Sequence, residues 1–173
     1  MGELRRIGFI GLGNMGGSLA KRFAQFTPLV VFDLDQSRID PIVALGANAA
    51  DSVANLAEIT DLIFISLPSS QTVKEVVLGD GGLSSKLSKG SLIVDMTTGD
   101  PNMTRDIAKT LLQMKIEFMD APVSGGPRGA QEGNTAIMVG GSLDQYNRIS
   151  PILRKVSTNV IYSGELGSGH AIK

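Results

Sequence analysis

The sequence predicts a doubly wound α/β fold with a mostly parallel sheet, and three observations favour it. Short apolar runs alternate with segments of helical spacing along the whole chain. Several of the runs, such as Leu62–Ile65, are continuously apolar, which is typical of a strand covered on both faces. The connections are short, which favours right-handed crossovers between parallel strands.

The strands are predicted from apolar runs that end at polar residues, glycine or proline. In chain order these runs cover residues 6–10, 29–33, 61–67, 91–96, 116–119, 135–140 and 159–162. The helices are predicted between them from apolar residues at helical spacing. They cover residues 15–26, 37–45, 52–58, 69–78, 101–114 and 143–156. Asp100 is a suitable N-cap for the helix that begins at Pro101, and Ser69 or Ser70 can cap the helix of residues 69–78.

Composition excludes several classes of protein. A length of 173 residues predicts one domain of ordinary size. Cysteine is absent and histidine occurs once, so we expect neither a disulfide framework nor a metal site. The formal net charge of −1 contains no basic block, which argues against nucleic-acid binding. No apolar run is long enough to span a membrane and no signal peptide is recognisable, so we expect a cytoplasmic protein.

A glycine-rich motif follows the first strand. The residues are Gly11, Leu12, Gly13, Asn14, Met15 and Gly16, which match the pattern G-x-G-x-x-G. This pattern is weak alone, but here it joins an apolar strand to an amphipathic helix. In that context Gly11 permits a tight turn, Gly13 admits a pyrophosphate and Gly16 allows close packing of helix on strand. The helix N-terminus then favours the anion, so the motif predicts a Rossmann-type dinucleotide site.

An acidic residue at the end of the second strand indicates which dinucleotide binds. Asp33 lies near the offset expected for the carboxylate that accepts from the adenosine ribose hydroxyls. That carboxylate would repel a 2′-phosphate, so we expect NAD, with NADP less favoured. Arg38 lies a few residues further on and is the feature that would favour NADP. A methyltransferase or a flavoprotein is the other class of protein that uses this fold.

Two later strand ends should face the same crevice, because ligands of open α/β sheets bind beyond the carboxyl ends of the strands. Leu67 and Pro68 form one of these ends, and Thr98 follows the other. Pro68 can shape a loop along the cofactor, and Thr98 could donate a hydrogen bond near the nicotinamide. Turn formation and helix capping explain the same residues equally well.

A second glycine-rich segment follows the strand at residues 116–119 and precedes a short helical segment. Ser124 and the amides of Gly125 and Gly126 would form a small anion cradle that suits a substrate carboxylate. Arg128 could meet a second substrate charge, although a solvated position at a helix start is the more common use of such a residue.

Together these motifs resemble those of the β-hydroxyacid dehydrogenases, the family of 3-hydroxyisobutyrate dehydrogenase and tartronate semialdehyde reductase. The resemblance rests on residues 9–16, on residues 120–126 and on the pattern Gly164-x-x-Gly167-x-Gly169-x-x-x-Lys173. It implies that Lys173 is the catalytic acid and base and that Ser124, Gly125 and Gly126 bind the substrate. It also implies cofactor contacts from Leu67, Pro68 and Thr98.

The resemblance further implies a domain organisation. Residues 1–163 would form the dinucleotide-binding domain, and residues 164–173 a catalytic-lysine loop leading into an all-helical second domain that is absent from this chain. That second domain would make the whole enzyme a homo-oligomer. We interpret His170 as a loop residue rather than a metal ligand or a base.

The predicted reaction is reversible hydride transfer between NAD and the hydroxyl-bearing carbon of a short β-hydroxy acid. NAD would supply the hydride chemistry, and Lys173 would take or return the hydroxyl proton. The alternative is a non-catalytic NAD-binding sensor or assembly module, which would keep the glycine motif without needing Lys173. For this chain alone we expect NAD binding with little turnover.

Overall fold

The computed structural model describes residues 6–173, and within that range nine strands form one sheet. The strands are β1 (Ile7–Ile10), β2 (Leu29–Phe32), β3 (Asn48–Ala49), β4 (Leu62–Ile65), β5 (Leu92–Asp95), β6 (Glu117–Asp120), β7 (Val123–Ser124), β8 (Ala136–Gly140) and β9 (Asn159–Gly164). Their order is β3-β2-β1-β4-β5-β6-β8-β7, and β9 pairs with β8. The strands from β3 to β6 are parallel, whereas β8 is antiparallel to β6 and β7. The predicted mostly parallel, doubly wound fold is therefore confirmed.

Eight α-helices lie within residues 6–173, seven of them between strands and the eighth after the last strand. They are α1 (Asn14–Ala24), α2 (Gln36–Val43), α3 (Val53–Ile59), α4 (Ser70–Leu78), α5 (Pro101–Gln113), α6 (Gly126–Glu132), α7 (Leu143–Val156) and α8 (Ser168–Ile172), with a short 3₁₀ turn at Leu83–Ser85. Ser69, not Ser70, caps α4, and Asp100 caps α5 as predicted. In the described part of the chain, none of these helices has both the length and the apolar character that crossing a bilayer requires.

The predicted strands are all present, and their ends differ from the prediction by two residues at most. Strands β3 and β7 were not predicted, because each has only two residues, which are too few to show an alternating pattern. The short helical segment expected next to the second glycine-rich segment is α6, which begins at Gly126. The segment of residues 164–173 was predicted as a loop, and this is wrong for Ser168–Ile172, which form α8.

The core lies on both faces of the sheet, as the continuously apolar strands require. Alternate residues of a strand point to opposite faces, so Phe9 and Phe64 belong to one hydrophobic cluster and Ile10 and Ile65 to the other. Phe9, Phe23 and Phe64 pack together with ring centroids 4.6–6.4 Å apart and no exposed surface. This aromatic trio fixes α1 against β1 and β4.

The parallel strands are also aligned at their carboxyl ends. A single register row runs through Phe32, Ile10, Ile65, Asp95 and Asp120, which are the last residues of β2, β1, β4, β5 and β6. The turns that follow these strands therefore begin at the same level and face the same edge of the sheet. That edge is where the candidate site lies.

We expect Phe23→Ala to lower the free energy of unfolding by about 3–5 kcal/mol, because it removes a fully buried ring and leaves a cavity between α1 and the sheet. Leu112→Ala is the matched control, since Leu112 is 74% exposed and should change stability by less than about 0.5 kcal/mol. Urea denaturation followed by circular dichroism measures both. Equal losses in the two variants would contradict this account of the core.

Candidate functional site

Two glycines of the motif after β1 are required by the fold itself. Gly11 has a φ of +90°, and a Cβ there would lie 2.1 Å from the carbonyl oxygen of Ser66. A Cβ at Gly16 would lie 1.9 Å from the carbonyl oxygen of Gly11. Any side chain at either position would therefore force the turn apart. These contacts explain why the chain can turn from β1 into α1 within three residues.

Gly13 is different, because the fold leaves space around it. A Cβ at this position would meet only Arg38 Nη1, at 3.9 Å. Gly13 is the N-cap of α1, and no side chain caps the helix there, so its first amides face the space beside Gly13. A negatively charged group is favoured at such a helix end. The backbone turn therefore does not require glycine at this position, and the open space agrees with the predicted approach of a ligand.

A cleft of about 240 Å³ lies beside this turn. Its lining residues are Gly11, Gly13, Asn14, Met15, Gly16, Asp33, Arg38, Ser66, Leu67 and Pro68. Most of the residues predicted to contact the cofactor are thereby brought together. Leu12 is an exception, since its side chain is buried in the core and only its backbone faces the turn. Thr98 is exposed and does not line this cleft, so its contact with the nicotinamide stays a prediction.

Asp33 follows β2 and is held in place by backbone amides. Its Oδ2 accepts from the amide of Leu12 at 2.7 Å, and its Oδ1 accepts from the amide of Asp35 at 2.9 Å. The carboxyl therefore also fixes the glycine-rich turn, a role that the sequence did not predict. Arg38 Nη1 lies 3.9 Å from Asp33 Oδ1, and Arg38 Nε lies 3.5 Å from Asp35 Oδ2. Arg38 thus faces two carboxyl groups at the Asp33 end of the cleft, where the ribose is predicted to bind.

The turns after β4 and β5 are joined by a side chain. Thr97 Oγ1 accepts from the amide of Leu67 at 3.1 Å, and the amide of Thr97 donates to Asp95 Oδ1 at 3.0 Å. Thr97 is buried, whereas its neighbour Thr98 is exposed. Thr97 therefore fixes the Leu67–Pro68 wall of the cleft, and it was missed because only its neighbour had an obvious use.

The second glycine-rich segment forms the turn from β7 into α6. Gly125 and Gly126 have φ values of +130° and +71°, so both adopt backbone conformations that favour glycine. Ser124 is exposed, and a Cβ at Gly126 would meet nothing within 4 Å. The segment is thus an open turn beside a helix start. Arg128 pairs with Glu132 at 2.8 Å on the exposed face of α6, in agreement with a solvated helix-start residue.

Lys173 lies directly against this segment. Its Nζ donates to the carbonyl oxygen of Val123 at 2.5 Å, and Val123 precedes Ser124. The structure therefore brings together two predicted features that lie 50 residues apart in the sequence. The glycine-rich approach to Lys173 is not a loop, because Ser168–Ile172 form α8, which packs on the sheet.

His170 is a correction to the sequence analysis. It is not a loop residue, since it lies in α8 with a relative exposure of 6%. Its Nε2 lies 2.9 Å from the carbonyl oxygen of Thr97, and its Nδ1 lies 2.8 Å from Thr104 Oγ1. Both ring nitrogens therefore have partners within the protein. Among residues 6–173 no group of three or more metal-ligating side chains is placed to hold a metal ion.

Two buried carboxyl groups end the neighbouring strands β5 and β6. Burial raises the pKa of Asp95 above its ordinary value, although the hydrogen bonds from Thr97 and the nearby His170 oppose this effect. His170 Nε2 lies 4.0 Å from Asp95 Oδ2. Asp120 accepts from the amide of Gly167 at 2.7 Å and from the amide of His170 at 2.8 Å. Neither carboxyl was predicted to have a role; Asp120 and His170 contact partners that are distant in the sequence.

The fold and this cleft define a dinucleotide-binding domain of the Rossmann type. Comparison with known families then shows which family of such domains the chain belongs to. The chain belongs to the family described as the NAD binding domain of 6-phosphogluconate dehydrogenase, whose model matches residues 6–164. The predicted resemblance to β-hydroxyacid dehydrogenases is confirmed by its relatives.

Mitochondrial 3-hydroxyisobutyrate dehydrogenase of Mus musculus is 40% identical over 96% of this chain and 50% of its own length. The 2-(hydroxymethyl)glutarate dehydrogenase of Eubacterium barkeri is 38% identical over 97% of this chain and 56% of its own length. A solved 3-hydroxyisobutyrate dehydrogenase of Mycobacterium tuberculosis with L-serine superposes with a TM-score of 0.90 at 25% identity, covering 98% of this chain and 58% of that one. The chain thus spans about half the length of the curated relatives it matches.

We expect Gly13→Ala and Gly16→Ala to separate ligand binding from folding. Gly13→Ala should keep the melting temperature within about 2 °C, because its Cβ has space, while weakening NAD binding at least about tenfold. Gly16→Ala should destabilise the chain by about 1–3 kcal/mol, because its Cβ would collide with the Gly11 carbonyl. Calorimetric titration with NAD and thermal denaturation give the two quantities. Full NAD affinity in Gly13→Ala would show that Gly13 does not contribute to NAD binding.

We expect Asp95→Asn to become more stabilising as the pH rises. The folded-state pKa of Asp95 is raised, so its favourable contribution is present at low pH and is lost as the pH rises through the folded-state value. The amide oxygen of asparagine can still accept from Thr97 but carries no charge. The unfolding free energy of the variant relative to that of wild type should therefore increase as the pH rises above about 4. The exposed Asp106→Asn is the control, and a pH-independent difference for Asp95→Asn would contradict the prediction.

Proposed function

We propose that this chain is the cofactor-binding part of an NAD-dependent dehydrogenase that acts on short β-hydroxy acids. The observation that carries the proposal is the hydrogen bond between Lys173 and the Val123 carbonyl. It joins the one lysine expected to move a proton to the turn expected to hold the substrate carboxylate. A domain that only sensed NAD would have no use for this arrangement.

The chain's residues fit the cofactor. Gly13 leaves space for a pyrophosphate beside the uncapped start of α1, and Asp33 lies at the ribose end of the same cleft. Bound NAD would supply the hydride acceptor or donor. The carboxyl groups of Asp33 and Asp35 beside Arg38 favour NAD over NADP, because they would repel a 2′-phosphate.

The protein's part in the reaction is to place the substrate and to handle one proton. Ser124 and the amides of Gly125 and Gly126 would bind the substrate carboxylate. As its neutral amine, Lys173 would then accept the hydroxyl proton at Nζ during oxidation, and as its ammonium it would return that proton during reduction. The lysine amine already lies on the carbonyl that precedes Ser124, so a short hydroxy acid held by the turn would reach it.

The names of the relatives support a narrower substrate class. The compounds 3-hydroxyisobutyrate, 2-(hydroxymethyl)glutarate and L-serine all carry a hydroxymethyl group on the carbon next to a carboxylate. We propose that the substrate of this protein shares that unit, because the distance from carboxylate to hydroxyl is then the same. The remaining group on that carbon would distinguish one acid from another.

Location and assembly stay predictions. The sequence favours a cytoplasmic protein, while the relative from Mus musculus is named as mitochondrial. A homo-oligomer formed through a further helical domain is expected only from the family resemblance.

We expect the whole protein to oxidise 3-hydroxyisobutyrate or a related 2-(hydroxymethyl) acid with NAD, and 2-hydroxy acids such as lactate far more slowly. Lys173→Ala should lower kcat by about a hundredfold or more, because it removes the proton acceptor. Lys155→Ala, an exposed lysine on α7, is the control and should keep full activity. NADH formation measured at 340 nm reports both. Unchanged turnover in Lys173→Ala would refute the proposed role of this lysine, whereas no turnover of these acids by the wild-type protein would favour the non-catalytic module.

A further inference from the structure

We propose that Asp120 and His170 are positioning residues that set Lys173 between the cofactor cleft and the substrate turn. The proposal rests on the proposed function, since it concerns the same lysine. Neither residue touches the cleft, and both are buried. They act on Lys173 through α8, the short helix that ends beside it.

Asp120 ties the start of α8 to β6. Its two carboxyl oxygens accept from the amides of Gly167 and His170, and the side chain has no exposed surface. Two glycines give it access to the helix, because a Cβ at Gly140 or Gly169 would lie 2.4 or 2.8 Å from a carboxyl oxygen of Asp120. The same stretch of chain carries Val123, whose carbonyl accepts from Lys173. Both ends of α8 are therefore bonded to one short segment.

His170 ties the middle of α8 to the wall of the cofactor cleft. A carbonyl oxygen only accepts hydrogen bonds, so His170 Nε2 carries a proton and donates it to Thr97. The hydroxyl of Thr97 in turn accepts from the amide of Leu67, which lines the cleft. The imidazole therefore fixes the position of α8 relative to the Leu67 side of the cofactor cleft. Thr104 on α5 holds the other ring nitrogen and fixes the plane of the ring.

The helix needs such ties because it is too short to hold its own position. Five residues form little more than one helical turn, which is unstable without outside contacts. Apolar packing does little to hold it, because its buried residues are Gly169 and His170, whereas Ala171 and Ile172 are exposed.

Hydrogen bonds are directional, and the three that join Asp120 and His170 to Gly167, His170 and Thr97 fix the position of α8. A shift of α8 would break these hydrogen bonds and leave a buried carboxyl or imidazole unpaired. Because that is unfavourable, the hydrogen bonds oppose the shift.

The test compares two buried threonines. Thr104→Val removes the hydroxyl that bonds His170, whereas Thr60→Val removes a hydroxyl that bonds only its own helix, at Leu56. In the whole protein we expect Thr104→Val to lower kcat about tenfold while the KM for NAD stays within about twofold. Thr60→Val should change neither. An equal loss of kcat in both variants would show a general packing effect and would overturn the proposal.

A second set of variants asks whether the hydrogen bond matters. His170→Gln retains a side-chain donor that can reach the Thr97 carbonyl, and His170→Ala has none. We expect His170→Gln to keep a kcat at least about threefold above that of His170→Ala. Asp120→Asn presents an N–H to one of the two amides and should lower kcat by about a hundredfold. Equal activity of His170→Ala and wild type would also overturn the proposal.

A measurement on the 173-residue chain keeps the two proposals distinguishable. Mass spectrometry can follow the acetylation of Lys173 against that of the exposed Lys155. We expect Thr104→Val to raise the relative rate at Lys173 by about threefold, because the amine is freed from Val123, and Thr60→Val to leave it unchanged. This result would stand even if Lys173→Ala kept full turnover and so refuted the proposed catalytic role of this lysine. An unchanged rate would refute the positioning role alone.

Discussion

The alignment of parallel strands at one edge of the sheet is the constraint on which the site depends. Strands β2, β1, β4, β5 and β6 end in a single register row, so the five turns that follow them start at the same level. The row is apolar at Phe32, Ile10 and Ile65 and acidic at Asp95 and Asp120. The apolar half supports the glycine-rich turn and the cofactor cleft. The acidic half supports the helix that carries Lys173.

The sequence was sufficient for the elements that depend on local pattern. Continuous apolar runs identified β4 and β5, because strands buried on both faces have few polar positions. The glycine-rich motif identified the turn into α1, since Gly11 and Gly16 are required by backbone contacts that do not vary with the rest of the chain. Asp33 could be predicted from its offset along the chain, and Leu67 and Pro68 could be predicted because they follow a strand whose carboxyl end meets the same edge of the sheet.

The features that could not be predicted from the sequence depend on contacts between distant residues. The α8 helix lies in a segment with Gly164, Gly167 and Gly169, which local propensity assigns to a loop. It is helical because Asp120, about fifty residues earlier, accepts from its amides. Asp120 belongs to the second glycine-rich motif, but its neighbours in the sequence do not indicate that it accepts hydrogen bonds from Gly167 and His170. His170 was misread for the same reason, because its ring bonds Thr97 and Thr104 across the fold.

The placement of Asp120 and Val123 on one short segment has a mechanical consequence. A displacement of this segment carries the anchor of α8 and the acceptor of Lys173 in the same direction by nearly the same amount. The spacing between the lysine and the turn is then an internal distance of one rigid unit. Thermal motion at this edge of the sheet would move the unit as a whole and leave that distance unchanged.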